Sequence, residues 1–433
     1  MKLGYNEIMI TSMYFGDIKD FINLEIGIKR FQGNMERFHF NPIPLNEHSR
    51  KLFPNIETFH IYNEKDEEFD DRRIFKQVIW YDISYSQYLK EKEEGNECKH
   101  IKYTECDREK YGCPIPKNVS IIGENCFKDC YDLTTLNIPT TITKLGNKCF
   151  DQFWSLASIT IATTIKELWE SCFDDCYSLT NISNENLMFV SKERIFMNEA
   201  ILMSIKTPKN LQTINGKRVK MKNINQFNIP SSIHKLANNC FKECTSLTTI
   251  IIPTTINELG KNCFAGCSSL KEIVIPTTIN ELPDYCFYKC KSLSDITIPS
   301  TITSFGKYCF YGCVSMMNDN LSTKIKEIGD YCFSCCISLT RITIPTTMKE
   351  IPMYCFDGCK SLLNVTIPSS ISKLCDGCFK KCSSLTSVTI PSSILSFGKN
   401  CFYECICADM LKENGAVPEE CFKRIDDVYF DIF

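Results

Sequence analysis

The chain repeats itself every 23 residues, and that period constrains its fold more than any other feature. The pattern I-P-[ST]-[ST]-I-x-x-[LFI]-x-x-x-C-F-x-x-C-x-S-L-x-x-[IV]-x places a Cys-Phe pair at Cys126, Cys149 and Cys172, then at a 23-residue spacing from Cys240 to Cys401. A unit of that length cannot bury its own apolar face, so neighbours must stack into one elongated core. The spacing predicts a repeat solenoid of about thirteen coils, a right-handed β-rich stack, rather than several globular domains. Such stacks offer extended surfaces more than clefts, which turns the functional reading towards recognition.

Each coil can be parsed physically. In a segment such as Leu270, Ile273 and Ile275, apolar residues face inward from a short strand, and the following Pro ends it because it cannot donate to a ladder. A second extended piece follows (Ile256, Leu259), then a turn at Gly260, Pro283, Gly306, Gly329, Pro352 or Gly398. A short helical turn is expected to carry C-F-x-x-C, with Phe and both Cys inside and the phenylalanines forming a spine. Ala162 and Ser322 stand in register for the usual Pro. Between residues 183 and 229 the consensus dissolves, and 187–205 reads as a β-hairpin that either projects or folds back over the core. Residues 414–425 form a shortened unit, as expected of a capping end.

Twenty-eight cysteines would suggest a disulfide scaffold in a secreted chain. Twelve of them directly precede Phe, and ten of those have a second Cys four residues later. Columns that repeat with the coil mark buried packing positions, and free Cys is among the most buried residue types. Zinc half-sites without His partners would be an odd array. Stacked Cys about 5 Å apart would permit disulfides in an exported protein. The expectation is reduced thiols in a cytoplasmic compartment. The N-terminus makes a poor secretory signal, no apolar run reaches a membrane span, and the C-terminus lacks a prenylation box.

Residues 1–90 do not share the repeat and read as a small α+β cap. Asp17 is placed to N-cap a helix through Phe21 and Leu24, and Thr58–Tyr62 and Val78–Ile83 read as strands. Residues 91–112 read as a solvated linker, 113–423 as the solenoid, and 424–433 as a tail. A net charge of -3 points to no nucleic-acid partner. His39, His48, His60, His100 and His234 are scattered, and no catalytic, cofactor or metal signature appears. Cys375 and Cys407 lie outside the Cys columns, yet no thiolate-stabilising cluster is near either.

The candidate working surface is the outward face of the regular strands. Its residues include Thr248, Thr249, Lys271, Glu272, Ser294, Asp295, Thr297, Thr340, Arg341, Thr343, Asn364, Thr366, Ser387 and Thr389, with Ile251 and Val274 at the same outward register as Thr297. Flat faces of this kind suit protein partners through distributed contacts.

The unit closely resembles the BspA-like leucine-rich repeat, over roughly residues 113–423, with Cys where that family commonly has Ala before Phe. The segments FNPIPL (40–45) and LFPNIETFHIYN (52–63) resemble a leader shared by many such proteins of parasitic protists. The resemblance implies a leucine-rich-repeat solenoid with a role in protein interaction or cell-surface adhesion. Separately, Leu3, Ile8, Tyr14, Phe15, Ile18, Phe21, Leu24, Ile28 and Phe31 make an apolar helix–loop–helix ahead of leucine-rich repeats. That layout resembles F-box architecture, without the expected Pro near its start, and implies a cullin-adaptor partner docking on residues 1–35.

Overall fold

The computed structural model describes residues 4–69, 72–168, 172–173, 175–197, 200–317, 324–413, 415 and 417–423. The register of Ser322 and the tail 424–433 lie outside the described residues. The repeats form a β-solenoid of about 13 turns behind a small N-terminal α/β region. A regular coil makes a three-residue strand, such as Glu272–Val274, and a two-residue strand, such as Glu281–Leu282. Each pairs in parallel with its counterpart one coil away, so Glu272 faces Asp295 and Glu281 faces Ser304. In the three-residue strands only the middle residue is buried, as alternation on a half-buried sheet requires.

The C-F-x-x-C segment departs from the helical turn expected of it. It runs as tight turns in which the residue before each Cys takes a left-handed backbone, as at Asn239 (φ 59) and Glu243 (φ 58). These turns aim every second N–H along the stack. Asn239, Phe241 and Glu243 donate to the carbonyls of Lys261, Cys263 and Ala265 in the next coil at 2.7–2.8 Å. A helical turn would have satisfied those groups locally and left coils unlinked on this side. The phenylalanines form the expected spine, with rings from Phe241 to Phe402 stacked 5.3–5.8 Å apart.

Side-chain donors tie coil to coil. The second Cys of the motif donates its thiol to the carbonyl of the preceding coil's Phe at 2.9–3.2 Å, as in Cys267 to Phe241 and Cys313 to Phe287. The second hydroxyl residue of [ST]-[ST] does the same for Ile carbonyls, with Thr255 donating to Ile233 and Thr301 to Ile279 at 2.8 Å. These long-range bonds explain why columns of Cys and Thr stand where an alkyl group would pack equally well.

Two further expectations need correction. Residues 91–112 are not a linker: they complete the helix Tyr85–Glu93, then form the strand Glu97–Tyr103 and the helix Glu105–Tyr111. That strand pairs with Lys76–Ser84 on one side and with Ile121–Ile122 of the first coil on the other, so one parallel sheet runs from the N-terminal region into the solenoid. Its charged residues lie on the solvated side while Ile101 and Tyr103 are buried. The interruption at 183–229 is more than one hairpin. Leu187–Val190, Arg194–Met197 and Ile201–Lys206 form an antiparallel meander, whose last strand pairs in parallel with Lys235–Leu236. It folds inward: Ile195, Phe196 and Met197 are buried, and the Phe196 ring lies tilted 5.0 Å from Phe241, joining the spine.

Asp17 caps the helix Ile18–Gly27 as expected, accepting from the Lys19 amide. At the far end the amides of Asn400 and Phe402 donate to the carbonyls of Glu420 and Cys421, so the shortened unit covers the last regular coil. Among the described residues no helix is long and apolar enough to cross a membrane.

Candidate functional site

The parallel register assembles the outward strand residues into two columns. Gln226, Thr249, Glu272 and Asp295 follow one another in the first; Asn228 and Ile251 pair, as do Val274 and Thr297, in the second. Together they line a shallow depression of about 440 Å³. At its middle Ile251 and Val274 are 63% and 62% exposed, an unusual pair of solvent-facing β-branched aliphatics beside two carboxylates. A second set of columns, Arg341–Asn364–Ser387 and Thr343–Thr366–Thr389, continues further along the stack.

The anticipated face residues therefore fall into two groups. Lys271, Glu272, Ser294, Asp295 and Thr297 are exposed, with Thr248 and Thr249 half-buried; Thr340, Arg341, Thr343, Asn364, Thr366, Ser387 and Thr389 are exposed on later coils. Several hydroxyls are already engaged within the stack. Thr248 donates to the Asn225 carbonyl at 2.8 Å, Thr340 to Met317 at 3.1 Å and Ser294 to Lys271 at 3.4 Å. Gln226 and Asn228 join the site without having been singled out, because the consensus is broken where they stand. Ile251 and Val274 were legible as outward residues, but only their neighbours made them a patch.

A second surface was not anticipated at all. Tyr285, Tyr308, Tyr331 and Tyr354, one per coil, stack ring on ring at 4.8, 4.7 and 4.8 Å on the turn side. Their only sequence signal is the letter before each Cys-Phe.

Burial disfavours the thiolate in the Cys columns. Burial pushes the thiols of Cys240, Cys263 and Cys290 well up from their ordinary value, and Cys244 is raised to about 12 by the same cause. Cys375 is raised by burial, then by the neighbouring Glu350 carboxylate, and Cys407 is also raised. Among the described residues no group of three or more His, Cys, Asp or Glu is placed to hold a metal ion. His60 stacks on Phe40 at 4.9 Å, and burial followed by Lys99 lowers its pKa. On the N-terminal helices Tyr14, Ile26 and Ile10 are 85%, 78% and 54% exposed, whereas Phe21 is fully buried.

Fold and surface together define a leucine-rich-repeat solenoid. A family model described as the BspA type leucine rich repeat region matches residues 103–218, 192–294, 216–318 and 280–409, and the chain belongs to this family. Among solved structures, it is similar to a leucine-rich repeat protein from Bacteroides ovatus, 22% identical over 70% of this chain and 86% of that one, with a TM-score of 0.36. A leucine-rich repeat protein from Eubacterium ventriosum is 17% identical over 78% of this chain and 84% of that one, with a TM-score of 0.42. The leucine rich repeat protein of T. pallidum is 24% identical over 46% and 87%, with a TM-score of 0.34. No curated protein matches the chain.

Proposed function

We propose that the chain is a non-enzymatic recognition protein that grips a protein partner on the strand face between Gln226 and Thr297. The observation that carries this is the exposed Ile251–Val274 pair, set in a depression and flanked by Glu272 and Asp295. Later coils satisfy strand propensity at this register with Thr. Aliphatic residues left in water on two adjacent coils therefore suit a hidden, apolar contact. The acidic flank fits a partner segment with aliphatic side chains beside Lys or Arg. The thiol-to-carbonyl ladder needs protonated thiols, which supports a cytoplasmic setting.

The test is co-purification of a tagged full-length chain from its own cells. Ile251→Asp and Val274→Asp face solvent and keep the fold, yet should each release a partner held by the wild type. Glu272→Lys with Asp295→Lys should weaken capture at least tenfold. A partner indifferent to all four changes would sink this reading.

The exposed side chains of Ile10, Tyr14 and Ile26 favour a second contact, the F-box-like docking of a cullin-adaptor subunit on residues 1–35. Phe21 belongs to the core, so the informative changes are Tyr14→Asp and Ile26→Asp. An adaptor that co-purifies and is lost on either change supports it. Adhesion at a cell surface is the alternative that family membership keeps open; an intact protein after protease shaving of whole cells would count against it.

A further inference from the structure

Along the stack, eight thiols of the second Cys position donate to the Phe carbonyl of the coil before. Cys130 holds the same position in the first coil, which has no coil before it. There its Sγ meets the Sγ of Cys113 at 4.0 Å instead. Cys113 stands outside the repeat, just past the helix Glu105–Tyr111 and the left-handed Gly112 (φ 90). Cys130 is buried, whereas Cys113 is half-exposed.

The two sulfurs face each other across the joint between the N-terminal region and the solenoid. Non-covalent contacts hold that joint. Tyr103 pairs with Ile122, the Gly123 amide donates to the Tyr103 carbonyl at 2.8 Å, and the Arg108 guanidinium to the Cys126 carbonyl at 2.6 Å. A disulfide needs its sulfurs about 2 Å apart. Cys113 lies in the irregular segment 112–120, where a small shift towards Cys130 breaks no strand ladder. Burial, then the neighbouring Cys130, raises the Cys113 thiol, with Arg108 acting in the opposite direction. The reduced pair therefore persists until an oxidant is supplied.

We propose that Cys113 and Cys130 are an oxidation site that hydrogen peroxide converts into a disulfide, clamping the N-terminal region to the first coil. The Cys113 sulfur, its proton given to solvent, attacks one peroxide oxygen. The O–O bond breaks, and the other oxygen leaves as hydroxide, which takes up that proton as water. The Cys130 sulfur then attacks the sulfenic acid sulfur, the S–O bond breaks, and that oxygen leaves as a second water with the Cys130 proton. The two sulfurs lose two electrons and the peroxide gains them. The new bond ties residues 17 apart in the chain.

The test adds hydrogen peroxide to the reduced full-length protein, quenches with acid, alkylates the remaining thiols and maps the digest by mass spectrometry. A linked Cys113–Cys130 peptide is expected as the first disulfide, reversed by dithiothreitol. Hydrogen exchange across residues 97–126 should then slow at least about tenfold and stay unchanged beyond residue 240. Cys113→Ser replaces a half-exposed thiol and should lose both the link and the slowing; Cys106→Ser, at an exposed thiol on the adjoining helix, should lose neither. The wild-type map decides the matter even where a variant fails to fold. Overoxidation of Cys113 without a link, another pair linking first, no reaction in excess peroxide, or a link that leaves exchange unchanged would each overturn the proposal.

Discussion

At the scale of single residues, the molecule is organised by what its small polar side chains donate. Repetition alone told that the Cys columns are buried. It could not tell that eight second-column thiols each bond a carbonyl 26 residues earlier, because that contact exists only once the coil has closed. Nor could it give the left-handed positions, where Asn and Gly hint at the conformation but Tyr, Lys and Glu conceal it. The thiols carry a pH consequence. Their folded pKa values are raised by burial, so stability is fully present below the unfolded value and falls as pH rises from there towards the folded value. Above about pH 8.5, where a free thiol ionises, each such Cys removes up to about 1.4 kcal/mol per pH unit. A handful suffices to cancel the ~5–15 kcal/mol that holds a typical domain together. Circular dichroism in reducing buffer should show strand signal lost between about pH 9 and 11. Full signal at pH 12 would mean the thiols are not buried as described.

At the scale of the coil, the glycines separate into two kinds that sequence cannot distinguish. Gly260 has an ordinary φ, but a Cβ there would sit 2.3 Å from the Asn238 amide and 2.4 Å from the Ala237 carbonyl carbon of the preceding coil. Gly312 has φ +70 and only the flexible Lys289 stem nearby at 3.4 Å. Gly260→Ala should therefore cost about 3 kcal/mol or more by forcing coils apart, and Gly312→Ala about 1 kcal/mol of backbone strain. Chemical denaturation of both variants checks the order; equal losses would contradict it. Phe287→Ala, which empties a ring position between Phe264 and Phe310, should cost about 3–5 kcal/mol by the same assay. The segment 91–112 misled because its helix and strand turn Lys and Glu outward, and only Ile101, Tyr103 and Asp107 reveal the buried side. Asp107 accepts from the amides of Tyr85, Ser86 and Thr104 and from two hydroxyls, pinning two helix starts to each other.

At the scale of the whole molecule, the repeat made the stack and its spine legible, while the irregular parts depended on geometry far from their own sequence. The meander took the place of a coil because Phe196 could fill the spine and Arg194 could reach Ser204 and the Lys242 carbonyl. The strand face was legible as a surface; its centre was not, since Ile251 and Val274 matter only as neighbours. The shared N-terminal sheet means that residues 1–112 act as the cap of the stack. Their removal strips Ile121–Ile122 of a strand partner and the Cys126 carbonyl of the Arg108 guanidinium, 2.6 Å away. Hydrogen exchange of the truncated chain should speed up across residues 121–160 and stay unchanged beyond residue 240, since coils couple chiefly to neighbours. Uniform protection would show that the cap is dispensable.

The central claim, recognition through the strand face, is met most directly by placing a photo-cross-linking amino acid at position 274 of the full-length protein in its own cells. One discrete protein adduct is expected, lost when Glu272→Lys and Asp295→Lys are added. A folded protein that yields no adduct from that position, or one unchanged by the charge reversals, would contradict it.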